Sequence, residues 1–426
     1  MIRFLFKGLL RDKSRSRLPI MVVAIGVALT VFMHAYITGL MVDMIEMTAR
    51  FSAGHLKIMT KAYAENAGQI PNDLAILEAG DLMKKLKADY PEVKWTPRIR
   101  FGGLVDVPDS TGETRSQGPA MGMGIDLLSE DTKEPERLNL LKSLVSGNMP
   151  PAGGEILLSD DFARNLRVHA GEKVTLIGST MNGGMAIYNL HVAGTVRFGT
   201  SALDRGTLIA DISDVQAALE MQDATGEILG FLDKGYYDAK QALFVSEHFN
   251  AGYAEDAGEF RPVMQKLSEQ EGMEVYIFLS DSMGAIITLV FMVAMSLVLW
   301  NAGLLGGLRR YGEIGVRLAI GEEKGHVYRT MIYESVMIGI AGTIAGTAFG
   351  LFFAFLLQKY GLDIGTFTKG TSSSIMMPDV IRARITPADY YIGFIPGVIS
   401  TVIGTALAGI GIFKRKTSQL FKELEA

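Results

Sequence analysis

Glu313 and Arg317 stand four residues apart in the segment Arg309–Gly321, which reads RRYGEIGVRLAIG. An acid one turn before a base is the favourable order for an ion pair on a helix face. Ile314 and Leu318 repeat at the same interval, so the segment predicts a short amphipathic helix. Such a helix can recognise a surface but breaks no bonds. No catalytic constellation emerges elsewhere. The six histidines are scattered, with no H-E-x-x-H pair, no metal-like cluster and no G-x-S-x-G. The absence of cysteine excludes a disulfide framework, a thiolate metal site and a cysteine nucleophile. There is no G-x-x-x-x-G-K-[ST], so this chain does not hydrolyse ATP through a P-loop. Asp160-Asp161 and Glu255-Asp256 read as solvated surface, and Ser372–Ser374 as loop. His34 reads as an interfacial or packing residue rather than a proton relay.

The elements around this segment are apolar. Leu18–Val42, Ser282–Leu308, Ser335–Gln358 and Tyr390–Phe413 contain no Asp, Glu, Lys or Arg over 25, 27, 24 and 24 residues. A bilayer core needs roughly 20 apolar residues in a helix, so four membrane spans are predicted. The first run is too long for a signal-peptide core and reads as an uncleaved anchor. An ion or proton carrier would be expected to place charged side chains inside the membrane, and these runs hold none. Gly342, Gly346 and Gly350 form consecutive G-x-x-x-G pairs, which predict close packing of the third span against another helix. Gly393–Gly397 repeats the spacing in the fourth.

Basic residues orient the spans. Six lie in residues 1–17, five in 306–330 (Arg309, Arg310, Arg317, Lys324 and Arg329), and four in the tail at Lys414, Arg415, Lys416 and Lys422. Both termini and the middle loop are therefore expected in the cytoplasm, and residues 43–280 outside. Within 1–11, apolar residues at helical spacing alternate with Arg3, Lys7 and Arg11, as in a helix lying on the membrane interface. Residues 44–280 carry 22 Lys/Arg against 34 Asp/Glu. That acidic balance argues against nucleic-acid binding.

The outside region reads as α+β. Met44–Phe51 continues the first helix. Strands are expected at Leu56–Met59, Val93–Ile99, Gly103–Val107, Glu155–Leu158, Lys173–Ile177, Ala186–Val196, Thr207–Ala210, Gln241–Ser246 and Glu274–Phe278. Helices are expected at Asp73–Asp89, Asp160–Leu166 with Ser159 as N-cap, Asp214–Glu220 and Gly258–Glu271. Asn182-Gly183-Gly184 signals a hairpin.

Arg310, Glu313, Ile314, Gly315, Arg317, Ala319 and Gly321 reproduce the R-x-x-E-I-G-x-R-x-A-x-G signature of the MacB/FtsX-type ABC transporter permeases. Glu334-Ser335, Gly342 and Gly346 resemble that family's third span. The stretch from Gly154 through Ser159 to Val174 resembles its small periplasmic subdomain. The layout of one span, a large outside domain and three further spans resembles the unfused lipoprotein-releasing LolC/LolE branch. The resemblance implies an α-helical membrane protein of four transmembrane helices in a bacterial inner membrane, with a large α+β periplasmic domain inserted between spans one and two.

The implied divisions are a cytoplasmic amphipathic N-terminus at 1–17, spans at 18–42, 281–308, 332–358 and 389–413, and a periplasmic domain at 43–280 with a small αβ insert at about 118–212. A cytoplasmic coupling-helix loop at 309–331, a periplasmic loop at 359–388 and a cytoplasmic tail at 414–426 complete them. The resemblance makes Arg310, Glu313, Ile314, Gly315, Arg317, Leu318 and Gly321 a coupling helix seated on a separate ABC ATPase, which would bind the ATP and Mg. It also implies a second permease copy or homologue as dimer partner, contact with membrane lipid, and a periplasmic cargo or partner protein. The expected function is ATP-driven extraction or export of lipoprotein or other hydrophobic cargo. Drug or peptide efflux and regulation of a cell-wall hydrolase are the alternatives.

Overall fold

A computed structural model describes residues 13–199, 201–233, 235–270, 272–308, 311–363 and 380–414. The interfacial pattern of 1–11, Arg309, Arg310, Ser372–Ser374 and the basic residues beyond Lys414 lie outside the described residues. The chain opens with a long helix, α1 (Lys13–Thr48), extended by a π-helical turn, Ala49–Ala53. The strands that follow are β1 (Leu56–Thr60), β2 (Val93–Pro108), β3 (Thr114–Ile125), β4 (Leu144–Gly147), β5 (Glu155–Ser159), β6 (Lys173–Ser179), β7 (Met185–Val196), β8 (Thr207–Asp211), β9 (Glu227–Leu232) and β10 (Pro262–Lys266). Between them lie α2 (Ala79–Asp89), α3 (Asp160–Leu166), α4 (Ile212–Ala218) and α5 (Ala239–Ala251). The chain then runs through α6 (Met273–Leu308), α7 (Tyr311–Ala319), α8 (Lys324–Tyr360) and, after a π-helical turn, α9 (Thr401–Lys414).

Two compact units result. The first holds residues up to Asp43, Leu279–Asp363 and the C-terminal stretch from Val380. Among the described residues, four helical stretches, Arg17–Ala53, Met273–Leu308, Lys324–Tyr360 and Pro387–Ile410, are long and apolar enough to cross a membrane. Their exposed faces carry Leu18, Ile25, Leu289, Val293, Phe352 and Ile403, a distribution that water would oppose and lipid accepts.

The second unit, centred on Met44–Phe278, is built on one sheet in the order β10-β1-β9-β2-β3-β8-β5-β7-β4, with β6 pairing both β2 and β7. The sixteen-residue β2 serves two lobes. Its first half, Val93–Arg98, pairs antiparallel with β9. Its second half pairs with β3 and β6, so the strands between 118 and 212 are joined to β2 rather than standing apart from it. One core gathers Leu56, Ile58, Trp95, Ile228 and Phe249, and another Ile99, Phe101, Val105, Ile156, Leu158 and Leu208.

Several local expectations are overturned. Gln241–Ser246 is not a strand but the middle of α5. Asp238 Oδ1 accepts the Lys240 and Gln241 N–H groups and starts a helix through an apolar run that otherwise suits a strand. Gly258–Glu271 is not a helix, because Pro262–Lys266 pairs in register with β1 as an edge strand. Glu274–Phe278 is not a strand but the first turns of α6. The helix expected from Asp73 begins at Ala79, since Ile76 is held in a bridge to Thr225 and Glu78 takes a left-handed φ of 53°. Val93–Ile99 and Gly103–Val107 are one continuous strand. Ser159 stands at the N-cap of α3 but makes no cap bond. Asp160 is buried rather than solvated, held by Arg164 Nη2 at 2.6 Å and by Arg197.

Candidate functional site

The acid–base segment folds as α7, one turn before α8. Ile314 is buried against Val327 and Met331, with Leu318 and Tyr328 packed beside them, so the apolar stripe faces α8. Gly315 is buried on the same side. Arg317 Nη2 lies 3.2 Å from Glu313 Oε1 on the opposite, half-exposed side. Gly321 closes the helix with φ +100°, a conformation that side-chain-bearing residues rarely adopt, and the Glu322 N–H then reaches the Arg317 carbonyl at 3.1 Å. His326 Nδ1 sits 2.7 Å from Glu322 Oε1 and ties this turn to α8. Arg310, expected in the same group, lies outside the described residues.

The outward face is apolar where a soluble loop would be polar. Ile320 is 81% exposed and Val316 41%. The two are four residues apart and form a ridge beside the Glu313–Arg317 pair. The i,i+4 count from Ile314 to Leu318 identified the inward stripe. The outward one was equally readable from Val316 and Ile320.

The glycines of α8 meet α1. A methyl group at Gly342 would lie 2.6 Å from Val23 Cγ1, at Gly346 2.5 Å from the Ala24 carbonyl, and at Gly350 2.8 Å from the Ala28 carbonyl. Val23, Val27 and Val31 are buried in the hollows these glycines leave. The pairs rise together along both helices, so α1 and α8 run parallel. Gly393 and Gly397 close the same hollow around Val27 from the fourth helical stretch. These valines carried no polar or glycine mark and were not singled out from the sequence. His34 Nδ1 lies 2.7 Å from Asp389 Oδ1, and the Asp389 carboxylate, fully buried, also accepts the Thr386 N–H at 2.6 Å and its hydroxyl at 2.9 Å. That partner stands one residue outside the charge-free run, where the sequence gives no sign that it faces His34.

The end of α1 is fastened by side chains distant in sequence. The orphan carbonyls of a helix end need donors. Here Phe51 accepts from Arg98 at 3.1 Å, Ser52 from Lys57 at 2.8 Å and Ala53 from Gln270 at 2.9 Å. Glu46 accepts from the Tyr237 N–H and from His55 Nε2. Lys57 and Arg100 share the buried Glu227 carboxylate, with Lys57 Nζ 3.4 Å away. Burial lowers the Lys57 ammonium pKa below the usual lysine range, and Glu227 opposes that shift. Among the described residues, no group of His, Asp and Glu has metal-binding geometry.

Residues 285–417 match the family described as FtsX-like permease C-terminal. That span contains the α7 motif and the glycines of α8. The lipoprotein-releasing system transmembrane protein LolC of Haemophilus influenzae is 23% identical over 210 residues, which cover 48% of this chain and 50% of that protein. LolC of Xylella fastidiosa is 25% identical over 300 residues, 68% of each chain. The macrolide export ATP-binding/permease protein MacB of Salmonella choleraesuis is 26% identical over 137 residues, 29% of this chain and 20% of that one. The aligned region thus spans half the length of the first of these relatives and a fifth of the last.

Proposed function

We propose that this chain is the permease subunit of an ABC transporter of the LolC/MacB type. It carries ATP-driven movement from a separate ATPase in the cytoplasm to its α+β domain in the periplasm of a bacterial inner membrane. Lipoprotein or another hydrophobic molecule is the cargo. The observation that carries the reading is α7, a short helix between two membrane-length helices that turns an apolar ridge and an ion pair outward. A bilayer could cover the ridge alone. A protein surface covers both.

The tight glycine seam of α1 and α8 supports the same reading, since transmission of displacement needs helices that move as one body. A ligand moves such a body only through unequal binding to its two states, which the ATPase supplies from one side and cargo from the other. Similarity to LolC extends over more of the chain than similarity to MacB, which favours lipoprotein release over export. Both termini lie in the cytoplasm, and the chain works as a pair with a second copy or a homologue.

The test is co-expression of the full chain with a cognate ABC ATPase, copurification in mild detergent and assay of hydrolysis. The complex should hydrolyse ATP and the isolated chain should not. Hydrolysis by the isolated chain, or no ATPase retained, would overturn the proposal.

A further inference from the structure

One segment, Arg382–Asp389, meets the C-terminal half of α1 at four points. His34 Nδ1 lies 2.7 Å from Asp389 Oδ1, and the Ala35 carbonyl accepts the Arg384 N–H at 2.9 Å. Gly39 faces the Arg382 carbonyl and Ala383, and Asp43 Oδ2 accepts the Arg382 N–H at 3.2 Å. The order along the segment is the reverse of the order along α1, so the two run antiparallel. From His34 to Asp43 the contact covers roughly 14 Å of helix. All of these residues belong to the unit that holds the membrane-length helices.

Gly39 makes the approach possible. In an α-helix the Ala35 carbonyl meets the N–H four residues on, which is that of Gly39. A carbonyl has a second lone pair, and a second donor reaches it only where no side chain stands in the way. A methyl group at Gly39 would overlap the Arg382 carbonyl oxygen and lie 2.9 Å from Ala383 Cα. Both obstacles are backbone, so no rotamer change relieves them. Ala35, Ala383 and Ala354 of α8 are buried together, with Phe32, Leu357 and Ile385 around them. The segment therefore packs on α1 and α8 at once. The glycine seam between these helices reaches Val31 and Gly350. Past it, their apolar contact at Ala35 and Ala354 is shared with Ala383.

The two ends of the segment are held differently. Asp389 is fully buried, and its carboxylate takes the Thr386 N–H and hydroxyl at 2.6 and 2.9 Å as well as facing His34. Towards Arg382 the bonds are exposed and longer. The Arg382 N–H reaches Asp43 at 3.2 Å, and the Ile385 N–H reaches Gln358 Oε1 of α8 at 3.3 Å. Bonds open to water are the first to yield in local opening. The segment is firm at Asp389 and loose at Arg382.

We infer that Arg382–Asp389 is a strap, hinged at Asp389 and latched at Arg382, whose seating holds the C-terminal half of α1 against α8. Latched, it fixes the course of α1 up to Asp43, the last residue of that helix in this unit. Released, it leaves α1 joined to α8 through the seam at Val23–Val31. In the transport reading, on which this use of the strap rests, the seated strap carries displacement of α8 to the end of α1. The seating itself depends on neither ATPase nor cargo.

The experiment uses the full chain in nanodiscs of phosphatidylglycerol and phosphatidylcholine, with amide hydrogen exchange followed by mass spectrometry. The amides of 382–386 should exchange about tenfold faster in Gly39→Ala than in wild type, while those of 342–350 stay equally slow. Alanine is the better helix former, so a glycine under no constraint would show no such loss. Asp43→Ala should release Arg382, while the Thr386 amide, held by Asp389, keeps its wild-type rate. Where Gly39→Ala also loosens 342–350, the half-exposed Asp43→Ala decides. The chain has no cysteine, so spin labels can be placed through Leu40→Cys and Phe355→Cys at the C-terminal ends of α1 and α8. Leu18→Cys and Ile340→Cys report the other end of the seam. Freeing the strap should broaden the first distance distribution and leave the second unchanged. Equal exchange of 382–386 in wild type and both variants would overturn the seating. An unchanged Leu40–Phe355 distribution with the strap free would overturn its hold on α1. No partner is present in these measurements, so failure of the transport reading leaves both results standing.

Discussion

His55 locks the end of α1 to the sheet through Glu46, with its Nε2 lying 3.0 Å from Glu46 Oε2 and its Nδ1 accepting the Leu232 N–H at 3.0 Å. The accepting Nδ1 places the ring proton on Nε2, where it is donated to the carboxylate. Glu46 also takes the Tyr237 N–H. One carboxylate on a membrane-length helix thus joins β1 and the segment before α5. Glu46→Ala would leave two buried donors unpaired, at roughly 1–3 kcal/mol each. Thermal unfolding of the purified chain should show the loss. Glu46→Gln keeps one acceptor oxygen and should lose about half as much. An alanine variant as stable as wild type would mean the joint is not rigid.

The seam between α1 and α8 predicts a difference between two glycines. At Gly342 the obstacle to a methyl group is mainly a side chain, Val23, at 2.6 Å. At Gly346 it is the Ala24 carbonyl, at 2.5 Å. Overpacking costs about 1–3 kcal/mol. Gly342→Ala should be destabilising alone and be largely rescued by Val23→Ala. Gly346→Ala should resist rescue by Val27→Ala, because no side-chain change moves a backbone oxygen. Detergent-solubilised yield and melting temperature of the four variants check this. Equal rescue at both positions would contradict the packing.

Charge-free runs and glycine spacing marked the helices and one side of the seam, because a bilayer imposes length and close packing imposes small residues. Val23, Val27 and Val31 gave no signal, since valine suits any apolar position. Strand β9, Glu-Ile-Leu-Gly-Phe-Leu, carries no alternation to read, because every residue is buried. The cluster of Lys57, Arg100 and Glu227 was invisible for another reason. Its members lie on β1, β2 and β9, and only the sheet order brings them together.

Asp214 supplies a pH prediction. Burial pushes its carboxyl above the ordinary range, although the Gly154 N–H donates to it at 2.7 Å. A raised carboxyl favours the protonated form in the folded state. Its contribution is fully present below the unfolded value near pH 4 and is lost as pH rises through the folded value. Asp214→Asn keeps an acceptor for Gly154 and removes the charge. The variant should gain stability relative to wild type at pH 7 and show little difference at pH 4. Melting temperatures of both proteins at the two pH values decide it. A difference of the opposite sign would mean the hydrogen bond outweighs burial.

Two neighbouring strips on the outward side of α7 respond differently to protein and to lipid. Glu313 and Arg317 are half-exposed at 3.2 Å. A solvated pair of this kind is worth about 0.3–0.5 kcal/mol, so Glu313→Lys should barely change the fold. Ile320 packs on nothing that the fold needs, being 81% exposed, and Ile320→Glu should also leave stability unchanged. Seated on an ATPase, both substitutions act differently. Removing one partner of a buried charge pair at an interface costs roughly 2–5 kcal/mol, and forcing a carboxylate into an apolar pocket costs a comparable amount. Either change should then weaken ATPase copurification by tens- to thousands-fold while expression and membrane insertion stay normal. A helix resting on lipid gives a different pattern. There Glu313→Lys would be silent, since a lysine reaches the headgroups with ease, and only Ile320→Glu would be felt, through insertion rather than assembly. Measuring both variants for membrane yield and for retained ATPase distinguishes these outcomes. Wild-type ATPase retention in Glu313→Lys would remove α7 from the interface.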